Sequence, residues 1–468
     1  METEHRHSGT GERGGAWRDD AESGFELSEV LSALSYVLDM IEGQPPGHTL
    51  RSCFIGMRIG ECLGLGEEDR SALFYALLSK DTGCSSNASR VANLFGADDF
   101  AVKKDFKVVD WSRFSERSRY AARNVSPDGG PWSKLRHLVS LGAKGQRGAR
   151  QVVQIRCEQG AGIVRLLGFP EETAQAVYNL DEHWDGAGHP HGLRGEEIPL
   201  LARICGLAQT VEVFYTEFGP LQAEEMARTR RKKWFDPNLV DAFLAEARGG
   251  RLWKELASPD LLKTISRMEP PDRVQLATPE RLDDVAYAFA RIIDAKSPFT
   301  YKHSDRVASV TTKLADYMGF SQDEVRDQRR AALLHDIGTL GISNRILDKP
   351  TRLTDEEFEK IKGHTALTYG ILVRVSPFRH LADLAASHHE RLDGSGYHRG
   401  LSSKDLDTPA RILAVADVFD ALSSQRPYRS AMPLEKVFSI LESDGHLDLE
   451  IVEALRLLIQ RGEIQANA

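Results

Sequence analysis

Residues 302–338 read KHSDRVASVTTKLADYMGFSQDEVRDQRRAALLHDIG, and this stretch decides the fold. Apolar side chains recur in it at helical spacing, as at Val307, Val310 and Leu314. The same spacing runs through most of the chain, whereas the two-residue alternation typical of half-buried strands is scarce. The sequence therefore predicts a mainly α-helical protein.

The same stretch is one half of an internal repeat. It aligns without a gap with residues 47–83, GHTLRSCFIGMRIGECLGLGEEDRSALFYALLSKDTG, at an offset of 255 residues that pairs His48 with His303. Further along, at an offset of 208, residues 180–214 match residues 388–422 and share a DG-x-G loop. We therefore expect two copies of one all-α unit, the first longer by about 47 residues.

These alignments predict the domain boundaries. The polar, Gly-rich residues 1–24 are expected to be a disordered tail. The first copy is predicted over 25–265, with a basic insertion at about 85–155, and the second over 275–468. The Cys-bearing helix predicted at 51–63 is a candidate for the surface that joins the two copies.

The end of the opening stretch poses a chemical problem. His335 and Asp336 follow a run that is typical of a buried helix, and a lone buried carboxylate costs several kcal/mol unless something compensates its charge. The second copy also carries other side chains of the metal-ligand type: His303, His364, His388, His389 and Asp417. Each alone is more often an ordinary core or surface residue, but the set together favours a cation held by nitrogen and oxygen ligands, such as iron, manganese or zinc. An Asp336 shared by two ions would use both of its oxygens.

The first copy serves as an internal control. It keeps His48 and Asp81, but the positions of His335, His388, His389 and Asp417 are occupied by Lys80, Leu180, Asp181 and Gln209. The fold therefore does not require those ligands. In this copy Lys80 could offset the charge of Asp81 without a metal.

The segments HDIG, HHERLDGSGY and ARILAVADVFDALSSQRPYR resemble the HD-GYP branch of the HD-domain metal-dependent phosphohydrolases. The resemblance is strong over about 280–455 and weaker over about 25–245. It implies an all-α chain of two tandem HD-type helical domains, the first degenerate and carrying an insertion. It also implies two divalent metal ions, most often iron or manganese.

The resemblance implies a role for each matched residue. One ion would be held by His303, His335, Asp336 and Asp417, and Asp336 would bridge to a second ion held by His364, His388 and His389. The substrate would be bound by Tyr397, Arg426 and Arg429. Three positions depart from the family pattern: Thr339 replaces a lysine, His398 a proline, and Phe299 the glutamate of a third metal site.

Two predicted catalytic positions besides Asp336 allow more than one interpretation. Asp420 lies one helical turn after Asp417 and could orient a metal ligand, or it could be a surface or capping carboxylate. The Thr339 hydroxyl could donate to a phosphate or cap a turn. Arg426 and Arg429 could share one face of a helical turn towards an anion, or form a solvated basic end.

The expected activity is hydrolysis of a cyclic dinucleotide, cyclic di-GMP or 3′,3′-cyclic GMP-AMP (cGAMP), to a linear dinucleotide or to mononucleotides. An HD-class phosphohydrolase acting on another nucleotide is one alternative. A non-catalytic, dinucleotide-binding signalling scaffold is the other. A signalling-protein partner and a homo-oligomer are further candidates.

Composition and charge limit the kinds of protein that this chain can be. The net charge is -9 and the pI near 6.0, which argues against general nucleic-acid binding. No apolar run approaches the length of a membrane span and no signal peptide is evident, so a cytoplasmic protein with five reduced cysteines is expected. Residues 102–156 hold 13 Lys and Arg against 4 Asp and Glu, which favours either a solvated insertion or a basic arm for an anionic partner.

Overall fold

The structure is a computed structural model that describes residues 25–110, 113–425, 429–443 and 445–465. The predicted tail at 1–24 lies outside these ranges. Within them the secondary structure is helical, with only isolated β-bridges such as the one between Glu26 and Leu276. The prediction of an all-α fold is therefore confirmed. None of the helices within these ranges is long and apolar enough to span a membrane.

The first part of the chain forms thirteen of the described helices. They are α1 (Leu27–Ile41), α2 (His48–Cys62), α3 (Glu67–Ser79), α4 (Ala88–Phe95), α5 (Asp99–Val108), α6 (Phe114–Asn124), α7 (Pro131–Leu166), α8 (Glu171–Asn179), α9 (Leu200–Phe218), α10 (Pro220–Arg230), α11 (Pro237–Ala247), α12 (Arg251–Leu256) and α13 (Leu261–Ser266). Short 3-10 helices lie at Cys84–Asn87, Gly195–Glu197, Arg248–Gly250 and Pro271–Arg273.

The second part repeats the plan with shorter connections. Its described helices are α14 (Pro279–Asp294), α15 (His303–Tyr317), α16 (Gln322–Leu334), α17 (Asn344–Leu347), α18 (Asp355–Leu372), α19 (Ala382–Ala386), α20 (Thr408–Ser423), α21 (Leu434–Ser443) and α22 (Leu449–Gln460). Its 3-10 helices lie at Ile337–Gly341 and Ser376–Leu381.

Side-chain caps fix where the helices near the histidines begin. Ser321 and Glu324 form a capping box before α16, and Thr354 with Glu357 forms one before α18. The Asp407 side chain accepts a hydrogen bond at the start of α20. These caps satisfy backbone N–H groups that would otherwise lack partners, and they set the register of each helix.

A glycine lets the segment after the His-Asp pair lie against α18. A Cβ atom added at Gly338 would collide with the backbone carbonyl of His364, so a larger residue would push the two segments apart. The first copy repeats this close approach between Gly83 and the carbonyl of Arg156. The glycine of the HDIG motif is therefore explained by helix packing in both copies.

The first helix of each copy also contacts the other copy. Helix α1 packs against the 3-10 helix Ile337–Gly341 of the second copy, and α14 packs against Cys84–Asn87 of the first. The Arg374 guanidinium lies 4.7 Å above the ring of Tyr36 in α1. Helix α2 instead packs mainly on α3 and α9 in its own copy, so the prediction that the helix at 51–63 joins the copies is wrong.

The insertion is a packed helical layer. Its helices enclose a small core that includes Val102 and Tyr120. Neither expectation, a solvated insertion or a basic arm, describes Lys103, because this lysine is buried and donates to the Cys84 carbonyl at 2.6 Å. The insertion also reaches the second copy, where the buried Asp99 accepts a hydrogen bond from the Asn344 backbone N–H at 2.9 Å.

Candidate metal centre

Five elements of the second copy bring the predicted ligands to one place. His303 begins α15, His335 and Asp336 follow α16, His364 lies in α18, His388 and His389 follow α19, and Asp417 lies in α20. His335 and His388 are fully buried, whereas His389 and Asp336 keep about a quarter and a sixth of their side-chain surface, 24% and 16%. The cluster therefore opens to solvent on the side of His389 and Asp336.

The Asp336 carboxylate lies between two groups of histidines. Its Oδ2 is 3.6 Å from His303 Nε2 and 3.7 Å from His335 Nε2. Its Oδ1 is 3.3 Å from His364 Nε2 and 3.8 Å from His388 Nε2. Each oxygen thus faces a different group, which is the arrangement that a carboxylate bridging two ions requires.

Asp417 completes the first group and His389 the second. Asp417 Oδ1 is 3.4 Å from His303 Nε2, and its Oδ2 is 3.8 Å from His389 Nδ1. The ligand atoms of His303, His335 and Asp417 all lie within 4.8 Å of one another, as do those of His364, His388 and His389. The described residues therefore offer two adjacent three-ligand sets, joined through Asp336.

Backbone carbonyls fix the orientation of three imidazoles. The Nδ1 atoms of His335, His364 and His388 lie 2.7, 2.6 and 2.7 Å from the carbonyl oxygens of Ala332, Ile361 and Ala385. A carbonyl only accepts, so each Nδ1 carries the proton and each Nε2 presents a lone pair to the cluster. The buried Nε2 of His335 has no hydrogen-bond partner.

These lone pairs and carboxylate oxygens are all acceptors at close range. The Nε2 atoms of His364 and His388, for example, are only 3.0 Å apart. Acceptors packed together in a buried site repel unless a proton or a cation lies between them. The arrangement therefore fits divalent cations, and its mixture of imidazole and carboxylate suits iron, manganese or zinc.

Electrostatics favour the metal-binding protonation states of Asp336, His388 and His389. Burial raises the pKa of Asp336, but the nearby histidines, His335 foremost, outweigh it and bring the pKa below its usual value. Burial lowers the pKa of His389 to about 3 and that of His388 well below 6.5. At neutral pH the carboxylate is therefore ionised and these imidazoles are neutral, as metal binding requires.

Asp420 supports the cluster from behind. It accepts hydrogen bonds from His303 Nδ1 at 2.7 Å and from Arg306 Nε at 2.5 Å. Arg306 is not among the site residues predicted from the sequence. The internal repeat could have indicated this arginine, because the first copy has an arginine at the matching position. There Arg51 and His48 both contact Glu212, the counterpart of Asp420.

The first copy has cations where the second copy has ligands. Lys80, at the position of His335, donates to Asp81 and lies 2.9 Å from His48 Nε2, so the predicted charge compensation is present. At the offset of 208, His364 corresponds to Arg156, whose guanidinium pairs with Asp181. Ammonium and guanidinium groups therefore balance the buried acids of this copy.

Comparison with known proteins places the chain in a family. The model of the HD domain matches residues 145–239 and 287–451. The chain belongs to the HD-domain family. It is 41% identical to 3′3′-cGAMP-specific phosphodiesterase 3 of Vibrio cholerae, over 93% of this chain and 95% of that protein. The HD-GYP resemblance noted in the sequence is thereby confirmed.

A second sequence relative and a solved structure are also similar to this chain. The chain is 44% identical to a cyclic di-GMP phosphodiesterase of Thermotoga maritima, over 37% of this chain and 49% of that protein. The crystal structure of the cyclic GMP-AMP specific phosphodiesterase V-cGAP3 of V. cholerae superposes with a TM-score of 0.63 at 36% identity, over 94% of this chain and 98% of that one. The similarity to V-cGAP3 therefore includes both copies of the repeat.

Three of the remaining predicted site residues are Thr339, Tyr397 and Arg426. The Thr339 hydroxyl donates to the Asp336 carbonyl at 2.7 Å, so in this structure it caps the turn. The Tyr397 ring packs 4.8 Å from the ring of His389, at the open side of the cluster. Arg426 lies outside the described residues.

Arg429 does not lie on a helical turn, because α20 ends at Ser423. Its guanidinium donates to the carbonyl oxygens of Ala421 at 2.6 Å and Leu422 at 2.9 Å. It thus satisfies acceptors left open at the end of the helix. A contact between Arg429 and substrate phosphate stays a prediction.

Proposed function

We propose that this chain is a metal-dependent phosphodiesterase that hydrolyses a cyclic dinucleotide. The observation that carries the proposal is the Asp336 carboxylate, whose two oxygens face separate sets of histidines 3.3–3.8 Å away. Relatives named as cyclic dinucleotide phosphodiesterases include one that matches 93% of the chain. Ions bound here would supply Lewis-acid polarisation of a phosphoryl group and activation of water.

The proposed roles divide among the residues of the cluster. His303, His335 and Asp417 would hold one ion, His364, His388 and His389 would hold the other, and Asp336 would contribute an oxygen to each. Asp420 keeps the Nε2 lone pair of His303 directed at the cluster by accepting from Nδ1. Tyr397 offers an aromatic face for stacking a base beside His389. Iron or manganese is the proposed metal.

We propose 3′,3′-cGAMP as the preferred substrate and cyclic di-GMP as the second. The relative named for cGAMP matches almost the whole chain, including the degenerate copy, whereas the T. maritima relative named for cyclic di-GMP matches 37% of it. The degenerate copy contains internal ion pairs such as the one between Lys80 and Asp81, and we propose that it supports the second copy through α1 and the insertion.

The test compares matched carboxylates in the two copies. Protein purified without oxygen is analysed for bound metal and assayed with 3′,3′-cGAMP and cyclic di-GMP. Asp336→Asn should lose both bound metal and turnover, because one carboxylate serves both ions. Asp81→Asn, at the equivalent position of the first copy, should keep the metal content of the wild type.

Each outcome has a distinct meaning. Turnover of another nucleotide but of neither cyclic dinucleotide would favour a different HD-class phosphohydrolase. Bound metal with tight dinucleotide binding and no turnover would favour the scaffold. An Asp336→Asn protein with full metal content and normal rates would contradict the bridging assignment.

A further inference from the structure

We propose that Lys302 and Lys362, each close in sequence to a ligand of a different metal-binding group, bind the substrate's phosphates. This inference rests on the proposed function. It adds two cations to a site in which Thr339 stands where the family pattern has a lysine, and the Thr339 hydroxyl is occupied by a backbone carbonyl. Lys302 is adjacent in sequence to His303 of the first ligand group, and Lys362 is close to His364 of the second.

Lys302 directly precedes His303 and lies in a conformation that favours glycine. Its φ is 56°, in the left-handed region where a Cβ atom is strained. The first copy has Gly47 at the equivalent position, with φ 88°. A lysine held where glycine fits better indicates that its side chain has a use. The side chain is exposed, and its Nζ lies 5.6 Å from the ring of the exposed Tyr301.

Lys362 lies two residues before His364 on α18, beside the other group. Its Nζ is 5.7 Å from the Tyr397 ring, which in turn packs on His389. It is also 5.0 Å from the ring of Phe358, whose side chain is 45% exposed. Its ion pair with Glu359, at 2.7 Å, joins the half-buried Lys362 to an exposed carboxylate and is therefore weak, so a phosphate can displace the glutamate.

The repeat shows that the fold does not need either lysine. The positions of Lys302 and Lys362 are Gly47 and Gln154 in the copy that has lost the metal ligands. By contrast, the structural carboxylate Asp294 and its counterpart Asp39 are kept, and both accept a backbone N–H at the start of the next helix. Both lysines are therefore absent from the copy that lacks most of the metal ligands, although that copy keeps the structural carboxylate.

A cyclic dinucleotide suits this arrangement because it carries two phosphodiester charges about a ring. With one phosphate at the ions, one lysine can bind that phosphate and the other lysine the second phosphate, so that both contribute to substrate binding. Ammonium groups recognise phosphate through charge-assisted hydrogen bonds.

The experiment measures steady-state kinetics on the metal-loaded protein with 3′,3′-cGAMP. Lys302→Gly and Lys362→Ala should each raise KM about tenfold, the loss of one charge-assisted hydrogen bond. Bound metal and kcat should change little, and kcat/KM should depend less on ionic strength. Lys302→Gly should also melt no lower than the wild type, since glycine suits the local φ, and Lys302→Arg should keep KM low. The control is Lys360→Ala, an exposed lysine on the same helix.

The results separate this inference from the proposed function. If the wild type hydrolyses cGAMP and both lysine variants keep its KM and salt dependence, the inference is overturned. It is also overturned if Lys360→Ala raises KM equally. If the wild type hydrolyses no cyclic dinucleotide, the proposed function fails, and the lysines are then tested by calorimetric binding of inorganic phosphate to the manganese-loaded protein. Weaker phosphate binding by both variants would support the inference, and unchanged binding would overturn it.

Discussion

Lys80→Met tests whether the degenerate copy is held together by a cation in place of a metal. The Lys80 side chain is completely buried and donates to Asp81, which is itself 1% exposed. Although burial raises the pKa of Asp81, Lys80 and Lys107 bring it down to about 2, so the carboxylate is ionised at neutral pH. Removing the ammonium leaves this charge inside the core.

The magnitude follows from what remains around Asp81. Breaking a buried pair by removing one partner costs about 3–5 kcal/mol. Two other groups lie 3.8 Å from the carboxylate: Lys107 Nζ, which already pairs with Glu42 at 2.6 Å, and the imidazole Nε2 of His48. Because they compensate part of the charge, we expect a loss near the lower limit, about 3 kcal/mol of unfolding free energy.

The assay is denaturant unfolding of the whole chain at neutral pH, with bound metal measured in parallel. Lys80→Met should lower the unfolding free energy and leave the metal content unchanged, because the ligands belong to the other copy. The double variant Lys80→Met with Asp81→Asn should recover part of the loss, since the uncompensated charge is gone. A Lys80→Met protein as stable as the wild type would refute the reasoning.

Three further predictions follow from single contacts. Asp420→Asn should weaken metal binding about 10–100-fold in chelator competition, because His303 loses its orienting carboxylate. Arg429→Ala should lower the unfolding free energy by about 1 kcal/mol through the lost carbonyl contacts and leave bound metal unchanged, so a loss of metal would contradict the capping role. Burial lowers the pKa of His183 to about 3, so its contribution to stability is complete above pH 6.5 and is lost as the pH falls towards 3. His183→Phe, which can keep the 4.2 Å stack on Trp234, should therefore lose less melting temperature on acidification than the wild type, and an equal loss would contradict the shift.

The metal-ligand pattern could be predicted in part because the two copies of the repeat can be compared with each other. A copy that keeps the helices but has Lys80 and Gln209 at ligand positions separates residues needed for the fold from residues free to change. Arg156 could not be found this way, because the insertion interrupts the alignment before it. Its pairing with Asp181 became visible only in three dimensions.

The sequence by itself determined the helical class, the tandem repeat and the chemical types gathered in the second copy. These follow from periodicity and spacing, which report how each segment is buried along one dimension. Only the tertiary structure decided that the two oxygens of Asp336 face different histidine groups, that α1 and α14 each also contact the other copy, and that Arg429 turns back to α20. The physical reason is that side-chain direction depends on where helices end and how they cross, and neither is encoded in the spacing of residues within one segment.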